Sequence, residues 1–236
     1  MATFVTAFSG GLFSVNGFGQ EQLFRFAGTW AETDDWTVDF ASVLSGNFTI
    51  GKGNISEQSF SCAAKLKNRM YLGFGSNFAL SENGDVTGWE EQNPGAAVIS
   101  FLSQYGAQDT VRAFASLQGR LCVIGRLSTQ IWSVDADPAN LVLQQTLDQT
   151  GTRALLSVRN MGDLDVLYLD DSGVRSLKAK SDSLNAFVSD IGTPIDLTIR
   201  QALISYDASL ACAIVEPTTK QYWLFLNGTI YVLSNY

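Results

Sequence analysis

Short apolar runs broken by polar turns recur along the chain. Five stretches share one layout, a β-rich run, a turn and in most copies a second run: QLFRFAGTW from Gln22, RMYLGFGSNFAL from Arg69, RLCVIGRLSTQIW from Arg120, DVLYLDDSGVRSL from Asp165 and QYWLFLNGTIYVL from Gln221. With Leu23, Met70, Leu121, Asp165 and Tyr222 taken as equivalent, the intervals are 47, 51, 44 and 57 residues. Repeats of this size are those of β-propeller blades, about 40–50 residues each.

The turns have a local physical basis. Asn227-Gly228 supplies the two residues that tolerate φ > 0 in a type I′ hairpin turn. Asp171-Ser172-Gly173 supplies an Asx-type turn followed by a glycine free to take a left-handed conformation. These four positions, Asp171, Gly173, Asn227 and Gly228, are the predicted structural turn residues. Polar turns LKNR, LQGR, MGDL and PTTK precede four of the copies, and QSFSCAAKL, VRAFASL and RALLSVR look like incoming strands before three of them. The pattern predicts an all-β, propeller-like repeat, with at least four antiparallel sheets of three or four strands around an axis. It is read as one domain over residues 1–236, with blade-like repeats near 22–30, 60–80, 111–132, 153–177 and 208–233. Helix is expected only over one or two turns of DPANLVLQQTLDQ, with Asp137 as cap and Pro138 at the first position, and more weakly at FLSQYG from Phe101.

Composition narrows the class. Of 236 residues, 46% are hydrophobic and 16% charged, as in an ordered chain that can bury a full core. The net charge of -8 repels phosphate backbones and argues against direct nucleic-acid binding. There is no histidine, which removes Ser-His-Asp and Cys-His catalysis and every histidine metal site. Cys62, Cys122 and Cys212 are odd in number and far apart, and read as buried reduced thiols. The N-terminal MATFVTAFSGGLF lacks a basic n-region and does not read as a signal peptide. No apolar run approaches 18 residues, so no membrane span is expected. The sequons at Asn47, Asn54 and Asn227 accordingly read as chance matches.

Three groups of residues invite a chemical reading. Asp170 and Asp171, with Asp163 or Asp165, could bind calcium, but DLDVLYLDDSG puts mostly apolar residues between the acids, and strand alternation sends Asp165 and Asp170 to opposite faces. The reading is a solvated acidic hairpin tip, in which replacing both Asp170 and Asp171 by Asn would change stability little. GNFTIGKGN, Gly46 to Asn54, matches G-x-x-x-x-G-K, but Gly53 stands where Ser or Thr belongs and the loop interior is strand-like. ETDDW and WEEQN place acids beside Trp36 and Trp89, in composition like a sugar-cleaving cleft, yet they alternate with turn residues as loop tips do. No catalytic residue, cofactor or metal ligand is assigned.

At GTRALLSVRNMGDLDVLYLDDSGVRSL, Gly151 to Leu177, the chain resembles the tail nozzle or hub proteins of short-tailed bacteriophages, including those called packaged-DNA stabilisation proteins. The matching pieces are Gly151-Thr152, Ser157-Val158, the strand Val166 to Leu169, and Gly173-Val174-Arg175-Ser176-Leu177. Asn77 to Asn93, with Gly-Asp-x-x-x-Trp, and Ala113 to Pro138, with Ile-Trp, look like blades of the same family. The resemblance covers about residues 60 to 236, and no single motif in it is diagnostic. It implies a virion tail protein without enzymatic activity, made in the host cytoplasm. Its copies would form a homo-oligomeric ring, a hexamer, under portal and adaptor proteins, through which DNA passes without specific binding. The chain is shorter than such proteins and stops at YVLSNY, so the repeat is expected to be incomplete here: either the gene is split, or the propeller is completed by another chain. The alternative reading is a propeller-type adhesin binding host-surface glycan through exposed Trp and Asp. A glycoside-acting enzyme is weaker still.

Overall fold

The structure is a computed structural model that describes residues 3–8, 11–16, 23–26, 49–50, 53–54, 60–84, 96–102, 106, 108–135, 140–183 and 191–234. ETDDW, WEEQN and half of FLSQYG lie outside the described residues. The fold is all-β, a propeller-like repeat of antiparallel sheets. Two compact units form: residues 1–101 with Asp135–Leu141, and Leu102–Val134 with Val142–Tyr236.

The first unit holds a three-stranded meander, β1 (Thr3–Phe8), β2 (Gly11–Asn16) and β3 (Leu23–Phe26), and a two-stranded ribbon, β4 (Thr49–Ile50) and β5 (Gly53–Asn54). That ribbon occupies GNFTIGKGN, with Ile50 opposite Gly53, so a hairpin stands where a phosphate loop would have to open a helix. A four-stranded meander follows: β6 (Phe60–Leu66), β7 (Arg69–Phe74), β8 (Asn77–Leu80) and β9 (Ala97–Ser100). Every residue of β7 is buried, Arg69 included. The Arg69 guanidinium donates to Ser81 O at 2.7 Å, and Ser81 Oγ accepts from Met70 N at 3.1 Å. Burial pushes the Tyr71 hydroxyl up to about 12, against the opposing pull of Arg69.

The second unit is three meanders: β10 (Val111–Leu117), β11 (Arg120–Gly125), β12 (Ser128–Ser133) and β13 (Val142–Asp148); β14 (Arg159–Met161), β15 (Asp165–Asp170) and β16 (Gly173–Ser176); and β17 (Cys212–Glu216), β18 (Gln221–Leu226) and β19 (Thr229–Ser234). The middle sheet is buried on both faces. Val166 and Tyr168 join Ala115, Cys122, Ile124 and Ile131 in one core. Leu167, Leu169 and Val174 join Ala213, Tyr222, Leu224 and Leu233 in another. Successive residues of a strand face opposite ways, so a strand between two cores must be apolar throughout, as VLYL is.

Three expectations need correction. DPANLVLQQTLDQ was expected to contain one or two helical turns; the cap Asp137 and first position Pro138 lie outside the described residues, and the C-terminal part is strand β13, paired with β12 from Ser133↔Val142 to Ser128↔Asp148. Edge pairing with β12 satisfies its backbone, and Leu147 reaches the core while Val142 and Leu143 stay exposed. Conversely, two helices were not expected: α1 (Leu177–Ser183) and α2 (Asp196–Ser205). Ser176 Oγ accepts from Ala179 N at 3.0 Å, an N-cap bond hidden within what reads as a strand end. Finally, Met70, Leu121, Asp165 and Tyr222 lie in the second strand of their sheets, whereas Leu23 lies in the third of its own. The first sheet therefore starts at Thr3, ahead of the predicted repeat.

The turn glycines are held by different constraints. Asn227 and Gly228 have φ of 50° and 72°, the left-handed pair of a type I′ turn, and a Cβ on Gly228 would meet nothing. Gly173 has φ 145°, and a Cβ there would run into Asp196 Oδ1. Gly228→Ala should therefore cost only the backbone term, about 1 kcal/mol. Gly173→Val adds a collision and should cost roughly 2 kcal/mol or more. Urea unfolding of both variants checks the order; equal losses would contradict it.

Candidate functional site

The hairpins of the second unit sort into two ends. Gly119 N donates to Asp163 Oδ1 at 3.2 Å, which puts the β10–β11 and β14–β15 turns together at one end. At the other, the Arg126 guanidinium meets Asp171 at 2.8 Å, joining the β11–β12 and β15–β16 turns.

This second end carries most of the ionic groups. Arg126 is aimed by a buried acid, Asp109, whose two oxygens accept from the backbone N–H groups of Arg126 (3.1 Å), Leu127 (2.8 Å) and Ser128 (2.8 Å) and from the Ser128 hydroxyl (3.0 Å). Arg126 N also donates to Thr110 O at 3.1 Å, so it is the Leu127 and Ser128 donors of the turn that Asp109 chiefly satisfies. Sequence reasoning missed Asp109 because a single acid before a strand, Gln108-Asp109-Thr110, carries no signal. Asp171, itself half-exposed, also receives Arg153 Nε at 3.2 Å. Arg175 forks onto Asp196 with both contacts at 2.7 Å, and this pair is largely buried. Gly173 leaves room for that carboxylate.

The acids of DLDVLYLDDSG thus separate into individual duties. Asp163 ties two turns. Asp165 accepts from the Ser176 hydroxyl at 2.7 Å and from Lys178 N at 3.0 Å, anchoring the start of α1. Asp170 pairs at 3.2 Å with Lys180, whose side chain is 1% exposed and whose ammonium lies 5.8 Å from the Tyr168 ring centre. The solvated-tip reading therefore holds at most for Asp171 and is corrected for Asp170. Helix α1 follows β16 directly and folds its lysine back over the tip, and no spacing rule foretells that.

Two adjoining hollows open beside Asp171 and share Arg200. One, of about 330 Å³, is lined by Arg126, Leu127, Gln149, Gly151 and Ser172. The other, of about 320 Å³, is lined by Arg153, Leu203, Ile204, Tyr206 and Asp207. At the opposite end a larger hollow of about 670 Å³ is mostly apolar, lined by Met161, Leu164, Val215, Pro217 and Lys220. Beside it, the carboxylate of Glu216 accepts from the Thr219 hydroxyl, from Thr219 N at 2.5 Å and from Thr218 N at 3.0 Å. These bonds, the Thr219 hydroxyl's first, hold its pKa at about 2 instead of 4.5.

A third surface is the outer face of the last sheet. Ile214, Trp223 and Val232 lie in register across it, as do Cys212, Phe225 and Ile230. Ile214, Ile230 and Val232 are 46%, 52% and 50% exposed.

The chain has no histidine, and burial pushes the Cys122 thiol up to about 12, far from a reactive thiolate. Ser172 Oγ is engaged by Asp170 and Arg175. Among the described residues no helix is long and apolar enough to cross a membrane.

No protein-family model matches the chain, and no curated protein does. Among solved structures it is similar to the extracellular domain of a B. thetaiotaomicron protein described as a one-component system, with TM-score 0.50 and 11% identity, over 99% of this chain and 32% of that one. The chain thus spans about a third of that structure's length, and the likeness is one of fold.

Two outcomes follow from this arrangement. Asp170→Asn removes the carboxylate paired with the buried Lys180 ammonium and should cost about 3 kcal/mol, whereas Asp171→Asn removes exposed pairs and should cost about 1 kcal/mol or less. Denaturant midpoints of the two variants measure this, and near-equal losses would return the tip to a solvated turn. For Glu216 the folded pKa lies below the unfolded one, so its contribution to the β17–β18 turn is present above pH 4.5 and lost as pH falls through about 2. A side-chain NMR titration should show a midpoint well under 4.5 that returns towards that value in Thr219→Val; an ordinary midpoint in the parent chain would contradict the turn geometry.

Proposed function

We propose that the chain is a structural protein of a bacteriophage tail, of the nozzle or hub kind, working as a homo-oligomeric ring on the path by which DNA leaves. The observation that carries this reading is the outer face of the β17–β19 sheet. Ile214, Trp223, Phe225, Ile230 and Val232 form a contiguous apolar patch on a sheet whose other face lies in a core. Apolar surface left in water forgoes about 25 cal/mol for every Å² that could be covered, and such patches mark contact with other polypeptide. A subunit built to assemble has a use for that face.

The residues behind the resemblance support the reading through what they do. Thr152 Oγ1 donates to Leu169 O at 2.6 Å, Ser157 Oγ accepts from Leu169 N at 2.9 Å, and Arg175 clamps Asp196. They cement the middle sheet, as expected of a scaffold's signature. Charge fits as well. With -8 on each copy, a ring repels the duplex from its wall, so DNA slides without being held. The glycan-adhesin reading is favoured by one feature, the arginine-lined hollows with Tyr206 beside Asp171.

Light scattering and negative-stain imaging of the purified chain, with antibody labelling of virions, test the proposal. The expected result is a ring located at the tail. Ile230→Asp with Val232→Asp should disperse it into monomers that keep their β circular dichroism. A parent chain that stays monomeric and is absent from virions would overturn the tail reading.

A further inference from the structure

We infer that the hollow between Asp171 and Asp207 is a binding site for a monosaccharide-sized ligand carrying one carboxylate or phosphate group, held by Arg153 and Arg200. The chain carries -8 overall with only nine arginines, yet Arg126, Arg153, Arg175 and Arg200 gather at one end of the second unit. Facing them are the carboxylates of Asp109, Asp171, Asp196 and Asp207, while Asp170 is matched by Lys180. Cations and carboxylates are thus equal in number here, although the protein as a whole is negative.

The carboxylates present do not occupy every guanidinium N–H. Arg175 takes both oxygens of Asp196 at 2.7 Å, and Arg200 comes to that carboxylate only at 3.9 Å, beyond hydrogen-bond reach. Asp171 is shared by two guanidiniums, Arg126 at 2.8 Å and Arg153 through Nε at 3.2 Å. The Asp207 carboxylate is committed to Ser209 N at 3.0 Å, capping the short turn that follows. Arg153 and Arg200, 55% and 58% exposed, therefore line the same hollow with guanidinium edges open to a second acceptor. A planar fork of N–H donors matches the two oxygens of a carboxylate or phosphate.

Size and lining select the rest of the ligand. About 320 Å³ is at the low end of pockets that take small organic molecules, enough for one sugar ring and too little for a chain of them. Tyr206 and Ile204 give the hollow an apolar side for a ring face, and Asp207 an acceptor for hydroxyls. Asp171 plays a particular part. It is an internal anion that already occupies Arg126 and Arg153, so an incoming oxyanion competes with it.

That competition yields a test with opposite signs. Calorimetric titration at low salt would compare glucuronate, glucose 6-phosphate, glucose and inorganic phosphate on the full chain. At least one of the two charged sugars should bind, with glucose at least tenfold weaker and added salt weakening the complex. Arg200→Gln and Arg153→Gln should each lose roughly tenfold, because each removes one charge-assisted contact. Asp171→Asn should bind several-fold tighter, since it frees Arg126 and Arg153; a merely structural Asp171 would not produce a gain. Lys220→Gln, at the opposite end, should leave binding unchanged, and circular dichroism of every variant shows that it is folded. The inference is overturned if both acids bind no better than glucose, if Arg153→Gln and Arg200→Gln together bind as the parent does, or if Asp171→Asn weakens binding. Inorganic phosphate binding as tightly as the sugar acids would also overturn it, since the site would then recognise a bare ion.

Discussion

The two-faced burial of β15 is the constraint on which the second unit depends. Its four central residues point alternately into two cores, Val166 and Tyr168 one way, Leu167 and Leu169 the other. Each such side chain, fully buried, is worth about 1.5–3 kcal/mol, and no other strand of the unit serves both cores in this manner. A one-residue slip in its pairing would exchange the two sets and mismatch both cores at once. Register is therefore fixed from both sides, from Leu167↔Ser176 to Asp170↔Gly173 with β16 and from Arg159↔Leu167 to Met161↔Asp165 with β14.

Packing sheets face to face leaves their connections to be satisfied, and the chain does this with short side chains between layers. Ser157 Oγ donates to Ala154 O and accepts from Leu169 N, while its carbonyl receives the Tyr222 hydroxyl at 2.8 Å from the next sheet. Arg159 Nε donates to Ala213 O at 2.7 Å across the same gap. Burial pushes the Tyr222 pKa well up, so the hydroxyl remains a donor at any physiological pH. The same economy applies at the sheet ends, where Asp109 gathers a turn's backbone donors and Asp163 links two hairpins. Polar residues in these places order the stack; the apolar faces supply the cohesion.

This division bears on function. Asp163, Asp165 and Asp170 serve internal ties. Outward lie, among other groups, an apolar face on the last sheet and a group of arginines at one end. The proposed assembly rests on the first and the proposed ligand site on the second.

Much of the architecture was legible in the sequence because antiparallel meanders are local. Strand runs such as RMYLGF and QYWLFL, and turns such as Asn227-Gly228, are set by alternation and by φ > 0 tolerance within a few residues. The spacing of Met70, Leu121, Asp165 and Tyr222 located four second strands for the same reason. What the tertiary structure alone decided was anything that depends on a neighbour distant in the chain. The fragment LVLQQTLD has a helix-compatible composition, and the free edge of β12 made it a strand. Helix α2 has one buried residue, Ile199, and hence almost no periodic signal. Asp170 and Asp171 are adjacent and chemically identical, yet Lys180 buries one in an ion pair while Arg126 and Arg153 hold the other in half-exposed contact. Local pattern specifies strands and turns because the backbone answers to its nearest residues; the partner of a charge is set by the packing of whole sheets, which no short stretch encodes.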